Sequence, residues 1–457
     1  MQWQDTGLLM CVLFFVVFRS FFFEEITTRP LNDFDEARYA EVAKNVVKTG
    51  ELRIPLAGGP DEPRSAIFTK TDSGAALYPY FWKPPLHTWI IASFMAVLGV
   101  NELSVRFPSL FFSLGVVLLT FFIAKKIFSN HVAPFIAVII LISMPDFSFL
   151  SSQGLAEMQL LFFSLLTAYL FAQGRNRFFL ASGVAFGLAI LTKSFAVFWV
   201  VPVCLIVYIL SNRKWPQWKG IALFMTSGLM IALPWHIYMY QQFGWLFIDR
   251  QFITNFAGRI SGAQQNIAPW YWYIKYILQF WLPWSLIVMM VPALSMTKKS
   301  QPWKLLFSLS LWIGLIIIPF SFVQSKVWWY IFPLWIPTIL IIIAPLEWLP
   351  YRIGRLYGAF LILIACILFM VSCRTALVRD YGTTNVKMLA SRHKNISSLA
   401  VVGRAYESVL YYFDTGNITV DWRNSKYVLT TQNQKENAEF ITFVEVDKEG
   451  DLVLLGR

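Results

Sequence analysis

The stretch GRNRFFLASGVAFGLAILTKSFAVFWVVPVCLIVYILSNRKWPQWK, residues 174–219, decides the fold. Two apolar runs, about 178–193 and 195–210, lie between the basic loops GRNRF (174–178) and SNRKWPQWK (211–219). Lys193 is the one charge that interrupts them. Such runs recur from residue 8 to residue 372, at lengths close to the roughly 17–25 residues that a helix needs to cross a bilayer. The chain is 57% hydrophobic and 14% charged, whereas an ordinary soluble domain carries about 25% charged residues. It reads as an integral membrane protein. FFFEEITTRP, and no small-residue cleavage site, follows the first run, which reads as an uncleaved anchor. Cys11, Cys204 and Cys366 fall inside apolar runs and Cys373 at the end of one, so neither a disulfide framework nor a zinc spacing is implied.

The net charge of +12 does not point to nucleic acid, because Lys and Arg gather in short loops between the apolar runs. That distribution is the positive-inside pattern, and it sets a topology. AKKIFSN (124–130), GRNRF, SNRKWPQWK, TKKSQPWK (297–304) and PYRIGR (350–355) become cytoplasmic. Spans at about 131–147 and 155–173, 178–193 and 195–210, 220–240 and 274–296, 305–323 and 327–347 then pair off between them. A last span, 356–372, leads outward, giving about eleven crossings with the N-terminus inside and the tail outside. LHTWIIASFMAVLGV (86–100) is too short to cross and would break the charge rule, so it reads as an interfacial or re-entrant helix before a second span at 105–125.

This threading places the first loop (24–85), the turn 145–158, the loop 235–270 and the turn 323–330 on one outer face, where the polar residues of interest fall. The tail, 374–457, is mixed in composition. SLAVVG, KYVLTT and ITFVEV read as strands and AYESVLYYF as a helix, making a small extracytoplasmic α/β domain beside a membrane domain of residues 1–373.

In NDFDEARYAEVAKNVVKTGE (32–51), Tyr39, Val42, Ala43, Val46 and Val47 form one apolar helical face ending before Gly50. Asp33 with Glu36 fits a capping box. Capping leaves Asp35 and Arg38 unexplained, and for Asp35 structural and chemical roles both stay open. Lys83, in PYFWKPPLHTW (79–89), reads either as an anchor among Tyr80, Trp82 and Trp89 or as a contact for a lipid phosphate at headgroup depth. Glu157 opens a span, where it suits a helix N-terminus or does chemistry. Lys193 is either a turn residue between two spans or a lone charge that invites an anionic partner. Lys326 stands beside Trp328, Trp329 and Tyr330, and His236, Arg250 and Arg259 add cations to the loop before it. No Gly-rich phosphate loop, metal motif or Ser-His-Asp signature occurs. Cations amid aromatics with few acids suit an anionic phospholipid substrate and a base acting on an acceptor. A secondary transporter would show inverted repeats and midplane sites; no repeat is visible, while a ligase of lipid-linked glycans stays as the nearer alternative.

DFDEARYAE, KPPLHTWIIASFMAVLGVNELSVRFPS, GLAEMQLLFF, LAILTKSFAVFWVVP, PWHIYMYQQFGWLF, APWYWYIKYILQFWLPW and SKVWWYIFPLW occur in that order. Across residues 1–350 the chain resembles the GT-C membrane glycosyltransferases, in the group of lipid A aminoarabinose transferases and protein O-mannosyltransferases. The resemblance implies a polytopic helical protein of about 11–13 transmembrane helices with a small C-terminal α/β domain, in a bacterial cytoplasmic membrane. It implies transfer of a sugar from a polyprenyl-phosphate donor to a lipid A-like lipid, protein or glycan. Asp35 maps to the family's catalytic acid and Glu157 to its second acid. Lys83, Lys326, Tyr330 and Arg259 map to contacts with the carrier phosphate, and Glu36, Arg38, Tyr39, Lys193 and His236 are further candidates. Aminoarabinose transferases usually carry Glu before the lysine of the KPP motif; here Trp82 stands there, and no metal is indicated.

Overall fold

The computed structural model describes residues 15–16, 23–32, 34–58, 69–70, 76–262, 266–295, 303–376, 384–393, 396, 399–402, 407–413, 418–419, 423, 425–435 and 442–456. Asp33, expected as part of the capping box, and most of the first apolar run lie outside them. The chain divides into two compact units, one of Met1–Phe22, Ser109–Ser152 and Ala156–Leu377, the other of Phe23–Pro108, Gln153–Leu155 and Val378–Arg457. The first loop therefore groups with the tail, together with the helix Leu86–Leu98 and the start of Glu102–Ile127.

The membrane helices follow the apolar runs closely. Among the described residues, Glu102–Ile127, Trp218–Phe243, Trp303–Phe322, Trp328–Glu347 and Tyr351–Val371 are long and apolar enough to cross. Leu86–Leu98, Glu157–Phe171 and Val200–Asn212 are shorter apolar helices. Exposure separates their roles: Trp328–Glu347 is 89% buried and Tyr351–Val371 only 17%. Leu356, Met370, Phe307 and Phe322 are exposed on such helices, which in an apolar solvent costs nothing.

Two expected straight spans are bent. Ala133–Ser143 turns by 72° into Pro145–Ser151, and Trp272–Phe280 by 107° into Trp284–Pro292. Proline causes the first break. Pro145 pushes Met144 into an extended backbone (φ −71°, ψ 123°), where a helix cannot continue. Pro283 lies in the second break and has no N–H to carry a helix onward. Between Asn176–Lys193 and Val200–Asn212 the chain turns through a short 3-10 segment, Ser194–Val197, so Lys193 ends its helix. Asp249–Ala257 is a π-helix, a rare conformation common at functional sites.

In the second unit the helix Asp35–Thr49 is central. Tyr39, Val42, Ala43 and Val46 are buried, as the pattern predicts, and Ala37 with them, while Val47 is exposed. Glu36, Glu41, Lys44 and Asn45 are buried too, so this helix is enclosed on more than its apolar face. Strands β1 (Leu56–Ala57), β2 (Thr69–Lys70) and β3 (Ala76–Pro79) form an antiparallel sheet in the order β1-β3-β2. The tail adds β4 (Leu399–Val401), β5 (Ile418–Thr419), β6 (Tyr427–Thr431), β7 (Val444–Glu449) and β8 (Leu452–Gly456), in the order β5-β4-β6-β8-β7. The three expected strands and the helix Glu407–Tyr412 are present; β5 and β8 were not foreseen. Val386, Leu389, Val409, Phe413, Leu429, Leu452 and Leu454 make the core of this sheet and its helices.

Candidate active site

Three acids lie on the helix Asp35–Thr49, and the structure gives them different surroundings. Glu36 is 1% exposed and is gripped by Arg106, itself fully buried. Arg106 Nε donates to Glu36 Oε1 (2.9 Å) and NH2 to Oε2 (3.1 Å). Its remaining donors go to the carbonyls of Ile26 (3.0 Å), Arg29 (2.6 Å) and Pro30 (2.8 Å), so one guanidinium fixes the chain leading into the helix. The Asn32 and Gly154 amides donate to the same carboxylate, each at 2.7 Å. Burial alone would raise the Glu36 pKa; the charge and hydrogen bonds of Arg106 outweigh it and hold the carboxyl below its ordinary value. The capping-box expectation is thus corrected in part: Glu36 does reach back to a preceding amide, but its main bond is the buried ion pair.

Gly154 must be glycine here. A Cβ would stand 2.4 Å from Val105 Cγ1 and 3.3 Å from Glu36 Cγ. Its carbonyl meets His87 Nε2 at 3.1 Å, and the His87 ring packs edge-on to Tyr39 at 4.8 Å between centroids.

Glu41 is the second buried acid, 3% exposed. Oε1 accepts from the Gly58 amide (2.9 Å) and from Asn45, and Arg38 NH1 lies 3.6 Å from Oε2 while donating to the Gly58 carbonyl (2.8 Å). Burial dominates and raises the Glu41 pKa, against the opposing pull of Arg38. Arg38 is therefore a structural clamp on Gly58.

Asp35 differs from both. It is half-buried, and no hydrogen bond or ion pair engages its carboxylate among the described residues. Phe34 before it serves as N-cap at φ 67°, ψ −122°, in a region that costs a residue with a side chain about 1–3 kcal/mol. The anchored carbonyls on either side hold that strain: Ala37 N–H donates to Asn32 O (3.0 Å) and Arg38 N–H to Phe34 O (2.9 Å). Lys83 is half-buried in the segment before the helix Leu86–Leu98, and Trp82 beside it packs on Val42, Ala57 and Tyr80.

The first unit collects a second set. Lys193 Nζ donates to Glu157 Oε1 as a partly buried ion pair and lies 5.9 Å from the Tyr330 ring centroid. Arg259 lies 5.6 Å from the same ring and donates through NH1 to the Tyr330 hydroxyl. Asn255 on the π-helix accepts from Arg259 Nε at 3.2 Å. Glu157, Lys193, Tyr330 and Arg259, far apart in sequence, thus form one cluster in which two cations lie near one tyrosine ring. Lys326 and His236 are placed otherwise. Lys326 is buried, and Nζ donates to Ser321 O (2.9 Å) and Val323 O, capping the helix Trp303–Phe322. His236 hydrogen-bonds Ala232 O (2.8 Å) and packs against Trp235, Phe247 and Phe252. Among the described residues no group of three His, Cys, Asp or Glu side chains is arranged to hold a metal.

Sequence reasoning missed Arg106, Glu41 and Gly154. Arg106 had a visible signal, a charge at the head of an apolar run, where charges need a partner.

The family model described as dolichyl-phosphate-mannose-protein mannosyltransferase matches residues 82–238. The chain is 25% identical over 344 residues to the undecaprenyl phosphate-alpha-4-amino-4-deoxy-L-arabinose arabinosyl transferase of Pseudomonas aeruginosa (strain LESB58), covering 72% of this chain and 58% of that one. An uncharacterized protein of Aquifex aeolicus (strain VF5) is 29% identical, covering 68% and 58%. The chain thus spans under two thirds of the length of these relatives. Among solved structures, ArnT from Cupriavidus metallidurans bound to undecaprenyl phosphate superposes with a TM-score of 0.70 at 18% identity, covering 97% of both chains. The archaeal oligosaccharyltransferase AglB from Archaeoglobus fulgidus gives 0.57 at 10% identity, covering 95% of this chain and 70% of that one. The chain has the fold of the GT-C membrane glycosyltransferases. In sequence it is similar to the undecaprenyl phosphate-alpha-4-amino-4-deoxy-L-arabinose arabinosyl transferases.

Proposed function

We propose that this protein transfers a sugar from a polyprenyl-phosphate donor to an acceptor at the outer face of a bacterial cytoplasmic membrane. One observation carries the reading: of the acids on the helix Asp35–Thr49, Glu36 and Glu41 are buried and occupied, while the Asp35 carboxylate is left available. A base needs an unoccupied lone pair within reach of the acceptor's proton. The relatives' names supply the donor class.

The leaving group is a phosphate monoester, whose second pKa is about 6, so it departs as an anion and needs no general acid. It needs positive charge aimed at it. Arg259, backed by Tyr330 and Asn255, is the best-mounted cation for that role, Lys193 lies near the same ring, and Lys83 is a further candidate. Glu157 holds Lys193 in place through their ion pair. Asp35 accepts the acceptor's proton and orients it for in-line displacement with inversion at the sugar. Where the acceptor is itself a phosphate, Asp35 orients it only. Lys326 is not needed in this scheme, since its ammonium caps a helix.

The test is transfer by membranes carrying Asp35→Asn, with undecaprenyl phosphate-α-4-amino-4-deoxy-L-arabinose as donor and products read by mass spectrometry of lipids and glycoproteins. The expected result is a loss of transfer of about 100-fold or more at equal protein amount. Near-normal transfer rejects the assignment.

A further inference from the structure

We propose that the tail domain forms part of the mounting of Asp35, with Tyr412 as a positioning residue that acts through Leu31, Glu102 and Lys387. This rests on the reading of Asp35 given above. Tyr412 ends the helix Glu407–Tyr412 in the tail, yet its hydroxyl is bonded to the first loop. It accepts from the Leu31 amide at 2.7 Å and donates to Glu102 Oε1 at 3.0 Å. Lys387, on the tail helix Thr384–Arg392, pairs with the same Glu102 oxygen at 2.6 Å and donates to Thr28 O at 3.1 Å.

Thr28 and Leu31 belong to the segment whose carbonyls at Ile26, Arg29 and Pro30 are held by Arg106. Residues 26–32 are therefore fixed from two directions, by Arg106 and by the tail. Four residues beyond Leu31 comes Asp35, across the strained Phe34. A strained backbone persists only where its surroundings over-determine it, and the tail supplies part of that determination. A second grip lies further along the same helix. Lys44, 9% exposed, donates to Tyr411 O at 2.8 Å and sits 5.7 Å from the Tyr411 ring.

Tyr412 suits the task by its chemistry. Burial pushes its phenol pKa well up, so the hydroxyl stays protonated and keeps donating to Glu102 while accepting from Leu31. Phenylalanine fills the same space and makes neither bond. The step under control is orientation: a displaced Asp35 still permits donor binding but meets the acceptor's proton in fewer of the bound complexes.

The experiment uses the purified full chain in detergent with two variants, Tyr412→Phe and Lys387→Met, and Asp35→Asn as reference. Amide hydrogen exchange over residues 26–38 and steady-state transfer from undecaprenyl phosphate-α-4-amino-4-deoxy-L-arabinose to lipid A are measured. In Tyr412→Phe, exchange at Leu31 is expected to accelerate about tenfold, the worth of one hydrogen bond. Turnover falls about tenfold while the donor KM stays within about twofold, and Lys387→Met shows the same signature with smaller amplitude. A merely structural role would lower the amount of folded protein and leave kcat per folded molecule alone. Unchanged exchange over 26–38 overturns the proposal, and so does faster exchange with full turnover while Asp35→Asn is inactive. Full turnover in Asp35→Asn instead rejects the reading of Asp35, and the exchange data still decide whether the tail holds the segment.

Discussion

Replacing Arg106 by methionine tests whether the Glu36–Arg106 pair organises the approach to Asp35. The guanidinium is fully buried and has five N–H donors, and all five are used: two on Glu36 and one each on Ile26, Arg29 and Pro30 carbonyls. Removing one partner of a buried pair costs about 3–5 kcal/mol, because the other charge stays behind without compensation. Glu36 would retain only the Asn32 and Gly154 amides and the more distant field of Arg29. Arg106→Lys keeps the charge but offers three donors to five acceptor positions, leaving two unfilled at about 1–3 kcal/mol each. The assay is a double-mutant cycle of Arg106→Met and Glu36→Leu, by reversible SDS titration in mixed micelles followed through tryptophan fluorescence. The double variant is expected to cost at least ~2 kcal/mol less than the two singles added together, since it leaves no unpaired charge. Singles that add within ~0.5 kcal/mol, or an Arg106→Met cost below ~1 kcal/mol, refute the hub.

Two further outcomes follow from the same contacts. Glu41 has a raised pKa in the folded chain, so above the ordinary glutamate range the folded state holds a proton that the unfolded state has released, and stability falls as pH rises through that window. Glu41→Gln keeps the acceptor for the Gly58 amide and removes the titration; its melting temperature should decline less between about pH 5 and 8 than that of the unchanged chain, and parallel profiles refute this. Lys326→Met should lower stability by about 1–3 kcal/mol through loss of the helix cap, with the donor KM unchanged per folded molecule. A donor KM raised tenfold at unchanged stability would restore Lys326 as a phosphate contact.

Which parts of this were legible in the sequence follows from which forces are local. Apolar run length and loop charge report on the bilayer, which acts on each segment separately; against about eleven expected crossings, the described residues hold five helices long and apolar enough to cross, two bent pairs that pass the same test, and shorter apolar helices. The bends at Pro145 and Pro283 were legible in principle, since proline acts on its own neighbours. The tail's β5 and β8 were not: β5 has two residues, and β8 gains its identity from pairing with β6 and β7. At the site, Lys193 and Glu157 were visible because an apolar surrounding makes any charge conspicuous. That they pair with each other, beside a tyrosine shared with Arg259, is a property of the packing of four segments. Lys326 shows the converse. Its place among aromatics suggested a ligand contact, but a lysine five residues beyond Ser321 also reaches back to close a helix, and the two uses look alike in sequence.

The acids of Asp35–Thr49 show why a motif cannot be read residue by residue. Asp35 and Glu36 are adjacent, so a helix turns them about 100° apart and sends them into different surroundings. Glu36 faces Arg106 and Gly154, where a charge is held ionised and immobile. Glu41 faces Gly58, Asn45 and Arg38, where burial dominates and favours the proton. Neither environment suits a group that must take up a proton and release it in each cycle: one carboxylate is too stabilised to accept it, the other is enclosed. Both, however, hold the backbone that carries Asp35, Glu36 through the Arg106 grip on residues 26–30 and Glu41 through Gly58. The helix thus divides its acids into two that build and one that is left available, and pairs of carboxylates separated by environment are how acid and base roles are assigned on one scaffold. Exchanging the two side chains, as in Asp35→Glu combined with Glu36→Asp, should therefore fail to preserve transfer even though charge and composition are unchanged: with one methylene fewer, the carboxylate at the second position no longer spans to Arg106.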